Sequence, residues 1–299
     1  MIPYTRQKVP LKLAVGSAQL VEVSLPTYSP SLPLVPAKPH IHAEVGRYLV
    51  RLAETAEDRE AACRLRFKVF NIELGEGLES SYRTGLDTDQ FDLVCEHLLV
   101  EEKANRQIVG TYRMQSGPAA AANLGYYSEQ EFSFAPYEPL RAGILELGRA
   151  SIDREHRTPE VLTLLWRGIA QYATDMELRY LIGCSSINSQ NPAEGWRMYR
   201  QLEHYRVSPE FETEPTAAYA CPTQLEGAHT QPPPGQQDLA SRTHVKVPKL
   251  LKTYLAIGAR IGGPPAWDRE FGTIDFLTLM DLKSISPSAR NHFLAPLTS

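Results

Sequence analysis

The residues with the clearest chemical potential lie in one apolar segment, Ile144 to Asp153 (Ile-Leu-Glu-Leu-Gly-Arg-Ala-Ser-Ile-Asp). Its composition predicts a buried strand that carries Glu146 and Arg149, and a charge inside such a strand is costly unless it is paired or used. A carboxylate tuned by burial can act as a general base or hold a substrate amine. We therefore take Glu146 as the candidate base and Arg149 as its candidate partner, with a purely structural ion pair as the alternative.

The spacing of these two residues raises a geometric question. In a regular strand, positions 146 and 149 point to opposite faces of the sheet. Gly148 stands between them and permits a β-bulge. We therefore expect an irregular strand that turns both side chains toward one cleft.

A basic turn follows this strand and contains Arg154, His156 and Arg157, just before a helix that we predict to begin at Pro159. Cationic side chains beside a helix N-terminus favour anions. No glycine-rich phosphate loop is present in the sequence. We expect the turn to bind an anion, such as the phosphate of a substrate, with a solvated surface turn as the alternative.

A second polar motif is the run Asp87-Thr-Asp89-Gln-Phe-Asp92, which precedes a predicted strand. It lacks an EF-hand pattern and is compatible either with a turn or with recognition of a cationic amino acid. Arg66 and Arg113 stand on otherwise apolar elements. Each is interpreted either as a structural ion-pair partner or as a residue of the site.

The composition excludes several functional classes. The chain of 299 residues has a formal net charge of −4 and no lysine-rich tract, which argues against binding to nucleic acid. Its four cysteines are scattered without metal-site spacing, as is typical of reduced thiols in a cytosolic protein. No Gly-x-Ser-x-Gly motif marks a nucleophile, so direct attack by a substrate amine fits better. Apolar runs are too short for a signal peptide or a membrane-spanning helix.

The periodicity of apolar residues predicts a mixed α/β domain with an antiparallel front half and one β-α-β crossover at the back. Residues 1–45 are proline-rich and are predicted to form an extended arm. A long loop is predicted over 209–242. The predicted strands are 48–53, 97–101, 107–114, 145–153, 180–187 and 271–282, and the predicted helices are 57–70, 159–176, 192–205 and 247–258.

An ordered series of motifs together resembles the ornithine-lipid N-acyltransferases, a hemolysin-like family within the GNAT acyltransferase superfamily. The resemblance covers roughly residues 46–294, with 295–299 left as a tail. The motifs are Arg66-Phe-Lys-Val-Phe70, Asp89-Gln-Phe-Asp92, His97-Leu-Leu-Val100, Val109-Gly-Thr-Tyr-Arg113, Glu146-Leu-Gly-Arg149, Val247-Pro-Lys-Leu-Leu-Lys-Thr-Tyr-Leu255, Gly263-Pro-Pro-Ala-Trp-Asp268 and Asp275-Phe-Leu277.

The resemblance implies a GNAT-like fold, a mixed and twisted sheet flanked by helices. It implies transfer of a fatty acyl chain, expected to be 3-hydroxyacyl, from acyl carrier protein to the α-amine of ornithine or a related amino acid. No bound cofactor or metal is implied. The expected roles are catalysis for Glu146 and Arg149, binding of the amino acid for Arg66, Asp89, Asp92 and Arg113, and contact with the carrier's phosphopantetheine for Arg154, His156 and Arg157.

A more distant resemblance is to the acyl-homoserine-lactone synthases, which share the same order of arginines, aspartates and a Glu-x-x-Arg motif. A synthase of that kind and a catalytically silent acyl-binding protein are therefore the alternative functions. The missing tryptophan-rich signature tells against the first, and the intact Glu146 and Arg149 tell against the second. We expect a cytoplasmic enzyme, with peripheral contact at the inner face of the membrane as an open possibility.

Overall fold

The computed structural model describes residues 39–223 and 244–297. Within these ranges the chain forms a nine-stranded mixed sheet in the order β1-β2-β3-β4-β5-β6-β9-β7, with β8 paired to β9. The strands are β1 His42–Val45, β2 Tyr48–Leu52, β3 Glu96–Glu102, β4 Gln107–Ser116, β5 Ile144–Ile152, β6 Tyr180–Ile187, β7 Arg260–Ile261, β8 Ala266–Asp268 and β9 Thr273–Asp281. The helices are α1 Ala56–Phe67, α2 Gly117–Ala122, α3 Pro159–Asp175, α4 Pro192–Gln201, α5 Lys249–Ile257 and α6 Pro287–Phe293.

The topology confirms the mixed α/β prediction. Strands β1 to β5 pair antiparallel with their neighbours. Strands β5 and β6 are parallel, with α3 as the crossover helix between them. The hairpin of β3 and β4 and the β-α-β unit both lie where the apolar periodicity predicts them.

Several boundaries differ from the prediction. The first α-helix begins after its N-cap Thr55, ends at Phe67 and continues as a π-helical turn over Lys68–Leu74. Strand His42–Val45 lies inside the stretch assigned to the arm, so the sheet begins before residue 46. The rest of that arm, up to residue 38, lies outside the described residues, as does part of the predicted loop over 209–242.

Helices cover both faces of the sheet. Helix α3 places Leu165, Trp166 and Ile169 in the largest apolar core. Helix α1 packs Leu65 against Leu99 of β3 in a separate core. Leu98 of the same strand lies in the first core, and because side chains alternate along a strand, the two cores lie on opposite faces of the sheet. Among the described helices, none combines the length and the apolar character needed to cross a membrane.

The parallel pair β5 and β6 is short. It extends from Ile144 opposite Tyr180 to Glu146 opposite Ile182, after which the two strands separate. Gly183 stands at this point, where a Cβ atom would lie 2.1 Å from the carbonyl oxygen of Leu147. The close approach of the Leu147 carbonyl to Gly183 therefore requires glycine at this position. Because the strands no longer pair beyond it, a gap opens between them.

Replacing Gly183 with alanine should lower the free energy of unfolding by about 1–3 kcal/mol, as is usual when atoms are forced into a packed region. Urea denaturation followed by circular dichroism measures this change. Gly143→Ala is the matched control, because a Cβ at that position has open space around it. Equal unfolding midpoints for both variants would show that the contact at Gly183 does not hold the strands in place.

Candidate active site

A cavity of about 420 Å³ occupies the gap between β5 and β6. Its lining is of two kinds. The charged residues include Glu76, Arg113, Glu146, Arg149, Asp268 and Asp275, and the apolar and aromatic ones include Tyr112, Met114, Trp166, Leu251, Tyr254 and Met280. The cavity thus offers both an apolar surface and charged groups to whatever enters it.

Glu146 lies in the wall of this cavity and is 6% exposed. Its Oε2 accepts a hydrogen bond from the Tyr127 N–H at 2.8 Å, and its Oε1 accepts from the Ser128 N–H at 2.8 Å and from the Ser128 hydroxyl. These donors lie at the start of the 3-10 turn Tyr127–Glu129, where N–H groups have no partner within the turn.

Burial raises the pKa of Glu146 above the ordinary value of 4.5, although the hydrogen bonds from Ser128 and Tyr127 oppose this shift. The carboxylate is therefore fixed in position and more basic than one in water. A carboxylate oxygen has two lone pairs. Oε2, with its single hydrogen bond from Tyr127, keeps capacity to accept a further proton or water.

The predicted bulge at Gly148 is confirmed. Arg113 pairs with Gly148 whereas Thr111 pairs with Ser151, so β5 carries one extra residue, and Arg149 has a φ of 54°. A left-handed backbone at a non-glycine residue is uncommon and occurs where the surrounding structure enforces it. The bulge directs Arg149 into the lining of the cavity that also contains Glu146.

The alternative interpretation of Glu146 and Arg149, a structural ion pair between them, is not what the structure shows. Arg149 instead donates from Nη2 to Asp89 at 3.2 Å, and its guanidinium lies 4.4 Å above the ring of Phe271. Within the described chain, Glu146 takes its hydrogen bonds from Tyr127 and Ser128. The bulge brings the two side chains into one cavity but gives each a different partner.

The acidic motif and the arginines form one buried network, which we call the arginine–aspartate cluster. Its three arginines balance three aspartates. Its members are Arg66, Arg113, Arg149, Asp87, Asp89 and Asp92. The motif folds locally as a capping box, in which Asp89 accepts from the Phe91 N–H and Asp92 accepts from the Asp89 N–H.

Arg66 and Asp92 are saturated by other members of this cluster. Arg66 is 1% exposed and donates to both carboxylate oxygens of Asp92 at 2.8 Å and to Asp87 at 2.8 Å. Burial alone would raise the pKa of Asp92, but Arg66 and Arg113 hold it well below its ordinary value. The structure therefore leaves neither Arg66 nor Asp92 free for a substrate, contrary to the expected binding role.

Arg113 and Arg149 are the members of the cluster that reach the cavity. Arg113 donates from Nη1 to Asp89 at 2.6 Å, so Asp89 lies between the two guanidinium groups. Asp89 lines a smaller neighbouring cavity of about 110 Å³ together with Arg149 and Tyr127. Asp89 thus holds Arg113 and Arg149 at the wall of the cavity.

The basic turn after β5 lies outside the cavity lining. Arg154 is exposed, and Arg157 is exposed and bonded to Glu73. His156 is 8% exposed, with its Nδ1 3.1 Å from the hydroxyl of Tyr48. Two of the three predicted anion-binding residues are therefore on the surface, whereas His156 is enclosed and not available to an outside phosphate.

The sequence analysis missed a second acidic group, of which Asp275 and Cys184 line the cavity and Glu131 lies behind them. Carboxylate oxygens of Glu131 and Asp275 and the Cys184 thiol lie within 4.8 Å of one another, close enough to hold a cation. Nearby, burial and the charge of Asp275 raise the pKa of Glu76 to about 7. The signal in the sequence was weak, because these residues are far apart and Glu131 lies in an ordinary polar run with Glu129 and Gln130.

Comparisons with known proteins identify the family of the chain. Residues 65–167 match the family model of the acetyltransferase (GNAT) domain. The chain is 31% identical over 258 residues to the L-ornithine N(alpha)-acyltransferase of Brucella abortus, covering 82% of this chain and 88% of the relative. It is 32% identical over 255 residues to the enzyme of the same name from Agrobacterium fabrum, covering 82% and 85%.

Among solved structures, the likeness includes FeeM, an N-acyl amino acid synthase from uncultured soil microbes, at 12% identity and a TM-score of 0.46, covering 84% of this chain and 97% of that one. It also includes the AHL synthase LasI at 11% identity and a TM-score of 0.44, covering 84% and 98%. The predicted GNAT-like fold and acyltransferase class are confirmed by the domain match and the curated relatives. The chain is an acyltransferase and belongs to the L-ornithine N(alpha)-acyltransferase family.

Proposed function

We propose that this protein transfers a fatty acyl chain, with a 3-hydroxyacyl chain as the expected donor, from acyl carrier protein to the α-amine of ornithine. The product is a lyso-ornithine lipid. Support comes from the names of the curated relatives and from one observation, the buried Glu146 in a cavity with both apolar and charged walls. The apolar wall suits an alkyl chain, and the charged wall suits an amino acid.

In this proposal the amine nitrogen attacks the thioester carbonyl carbon and the carbon–sulfur bond breaks. Glu146 accepts the proton that the amine releases, directly or through a water molecule, and that proton leaves with the carrier thiol. The raised pKa of Glu146 favours this role, since a general base works best when its pKa lies near the working pH. The fixed orientation of the carboxylate also favours it.

The separation of β5 and β6 supplies the other catalytic element. Beyond Glu146 and Ile182 the two strands no longer pair with each other. Backbone N–H groups on the facing edges are therefore available to hold the oxyanion that forms on the thioester carbonyl. We infer that the carbonyl lies in this gap, with the leaving thiol directed toward the protein surface.

The amino acid's carboxylate would bind to Arg149 and Arg113, which line the cavity. A guanidinium offers five N–H donors in a planar fork that matches a carboxylate. Arg149 uses Nη2 for Asp89 and keeps other donors for a ligand. Arg66, Asp89 and Asp92 then act as positioning residues, because their bonds hold the two arginines in place.

The acyl donor would approach the face that carries Arg154 and Arg157, where positive charge would attract an acidic carrier. We further propose that the reaction takes place in the cytoplasm, with peripheral contact at the inner face of the membrane. The four free thiols fit a reducing compartment. The acylated product is an amphiphile that must pass from the cavity into a lipid surface.

Expression of the chain in a bacterial host that lacks ornithine lipids tests the proposed function directly. Mass spectrometry of the extracted lipids should find a new species with the mass of an N-acylated ornithine. The Glu146→Gln variant is the matched negative control. A species built on a different amine, or on homoserine lactone, would contradict the proposal.

Replacing Glu146 with glutamine should reduce acyl transfer by about 10²–10⁴-fold, the usual effect of losing a general base. Steady-state kinetics with purified protein measures the loss. Glu129→Gln is the control, because Glu129 lies in the same turn and pairs with Arg141 outside the cavity lining. Turnover close to the wild-type rate in a folded Glu146→Gln variant would remove Glu146 from the mechanism.

The Ser128→Ala variant distinguishes a proton-accepting role of Glu146 from a purely structural one. The Ser128 hydroxyl lowers the pKa of Glu146 by bonding to its charged form, so removing it should raise that pKa. A general base is active only above its pKa. The acid limb of the plot of kcat/KM against pH, which reports protonation of Glu146, should therefore move to higher pH. An unmoved profile would argue against proton transfer to this carboxylate.

Charge reversal by Arg154→Glu should raise the KM for acyl carrier protein by roughly 3–10-fold at low salt, and the effect should shrink as salt screens the charges. Arg154 suits this test because it is exposed, whereas Arg157 also bonds to Glu73. Arg200→Glu, exposed on α4, is the matched control. Efficient transfer from acetyl-CoA, with none from acyl carrier protein, would overturn the assignment of the donor.

A further inference from the structure

We propose that Glu131 and Asp275 form a subsite that binds the side-chain ammonium of the amino-acid substrate, while the α-amine reacts beside Glu146. This inference rests on the proposed function and deepens it. It names the feature of the substrate that the enzyme distinguishes, a second positive charge at the end of a short aliphatic side chain. A neutral amino acid of the same length would lack the group that this subsite binds.

The geometry that carries the inference is a pair of buried carboxylates, three of whose four oxygens have no hydrogen-bond donor. Glu131 is 1% exposed, and neither of its carboxylate oxygens is hydrogen-bonded; Asp275 is 4% exposed, and its Oδ1 is likewise unbonded. These oxygens and the Cys184 thiol converge within 4.8 Å. Buried carboxylate oxygens in folded proteins nearly always have a donor, so an unfilled pair points to a ligand.

The charges around the pair favour a cation. The arginines that line the cavity, Arg113 and Arg149, are bonded to Asp89 of the arginine–aspartate cluster. No ion pair of the described residues involves Glu131 or Asp275. Burial raises the pKa of both carboxyl groups, and the charge of Asp268 adds to both shifts, with that of Asp275 also raising the pKa of Glu131. A cation beside the pair would favour the charged carboxylates and oppose these shifts. An ammonium with three N–H donors would satisfy both carboxylates.

The subsite shares the cavity with the candidate base. Glu146 pairs with Ile182 across the parallel ladder, and Cys184 follows two residues later on β6, ~7 Å further along the strand. Asp275 and Cys184 both line the cavity that contains Glu146. A short diamino acid could therefore present one amine to Glu146 and the other to the acidic pair.

A metal ion is the other ligand that such a group could hold, and the observations favour the ammonium. The pair offers two carboxylates, and burial beside Glu131 and Asp275 raises the pKa of the Cys184 thiol well above its ordinary value. Metal ions bind the thiolate and not the thiol. A cationic substrate needs only the carboxylates, so the protonated thiol is no obstacle to it.

The test compares L-ornithine with L-norvaline, which has the same carbon skeleton without the terminal ammonium. With the full-length enzyme and acyl carrier protein as donor, kcat/KM is measured for both acceptors, and binding of both is measured by calorimetry. The ratio of kcat/KM for ornithine over norvaline should fall about 10–100-fold in Asp275→Asn and in Glu131→Gln, as expected for the loss of a charge-assisted hydrogen bond. Glu270→Gln, which neutralises an exposed carboxylate near β9, should keep the wild-type ratio.

The outcomes separate the two proposals. Equal use of ornithine and norvaline by the wild type, or an equal fall for both acceptors in the variants, would overturn the subsite while leaving the proposed function intact. Acylation of neither amino acid would overturn the proposed function, and calorimetry would still report whether ornithine binds in preference to norvaline. Binding of Zn²⁺ that disappears in Asp275→Asn, without preference for ornithine, would assign the pair to a metal.

Urea denaturation of both variants should show stability at least equal to wild type, because each removes like-charge repulsion.

Discussion

The constraint on which the site depends is the point where β5 and β6 stop pairing. Three residue pairs join the strands, and beyond Glu146 and Ile182 the ladder ends. Gly183 lets the two backbones approach closely at that point, and the bulge at Arg149 interrupts the regular pairing of β5 with β4. Strands that remain hydrogen-bonded to each other leave no space between them. The end of the ladder between β5 and β6 therefore creates the space in which a substrate can lie.

The arginine–aspartate cluster holds that distorted region in a single arrangement. Three arginines and three aspartates are buried as a neutral group, and Arg66, at 1% exposure, bonds both oxygens of Asp92. Buried ion pairs contribute little net stability, but removing one partner typically costs about 3–5 kcal/mol because it leaves a charge unpaired. The planar fork of arginine also fixes direction, which an ammonium group does not. The cluster is therefore better understood as a positioning device for Arg113 and Arg149 than as a source of binding energy.

Sequence periodicity predicted the long elements well, because their apolar faces are buried over many residues. Thr55 as a helix cap and the bulge beside Gly148 were also predictable, since each follows from local backbone chemistry. The partners of charged residues were not. Position along the chain suggested Arg149 for Glu146, whereas the structure supplies the N–H groups of Tyr127 and Ser128, which come from an irregular segment. The pairing of Glu131 with Asp275 joins residues 144 positions apart, and a single sequence contains no local signal for it.

Carboxylates in and next to the cavity lie in two contrasting environments. Glu146 is buried but receives three hydrogen bonds, so its charge is tolerated and its proton affinity is raised only as far as those bonds allow. Glu131 is buried without such donors, as is Oδ1 of Asp275, so these oxygens have no hydrogen-bond partner among the described residues. The first environment suits a group that must gain and lose a proton during a reaction. The second environment suits a carboxylate that binds a cationic ligand. The two environments differ because the N–H groups of the turn Tyr127–Glu129 bond to Glu146 and to neither member of the acidic pair.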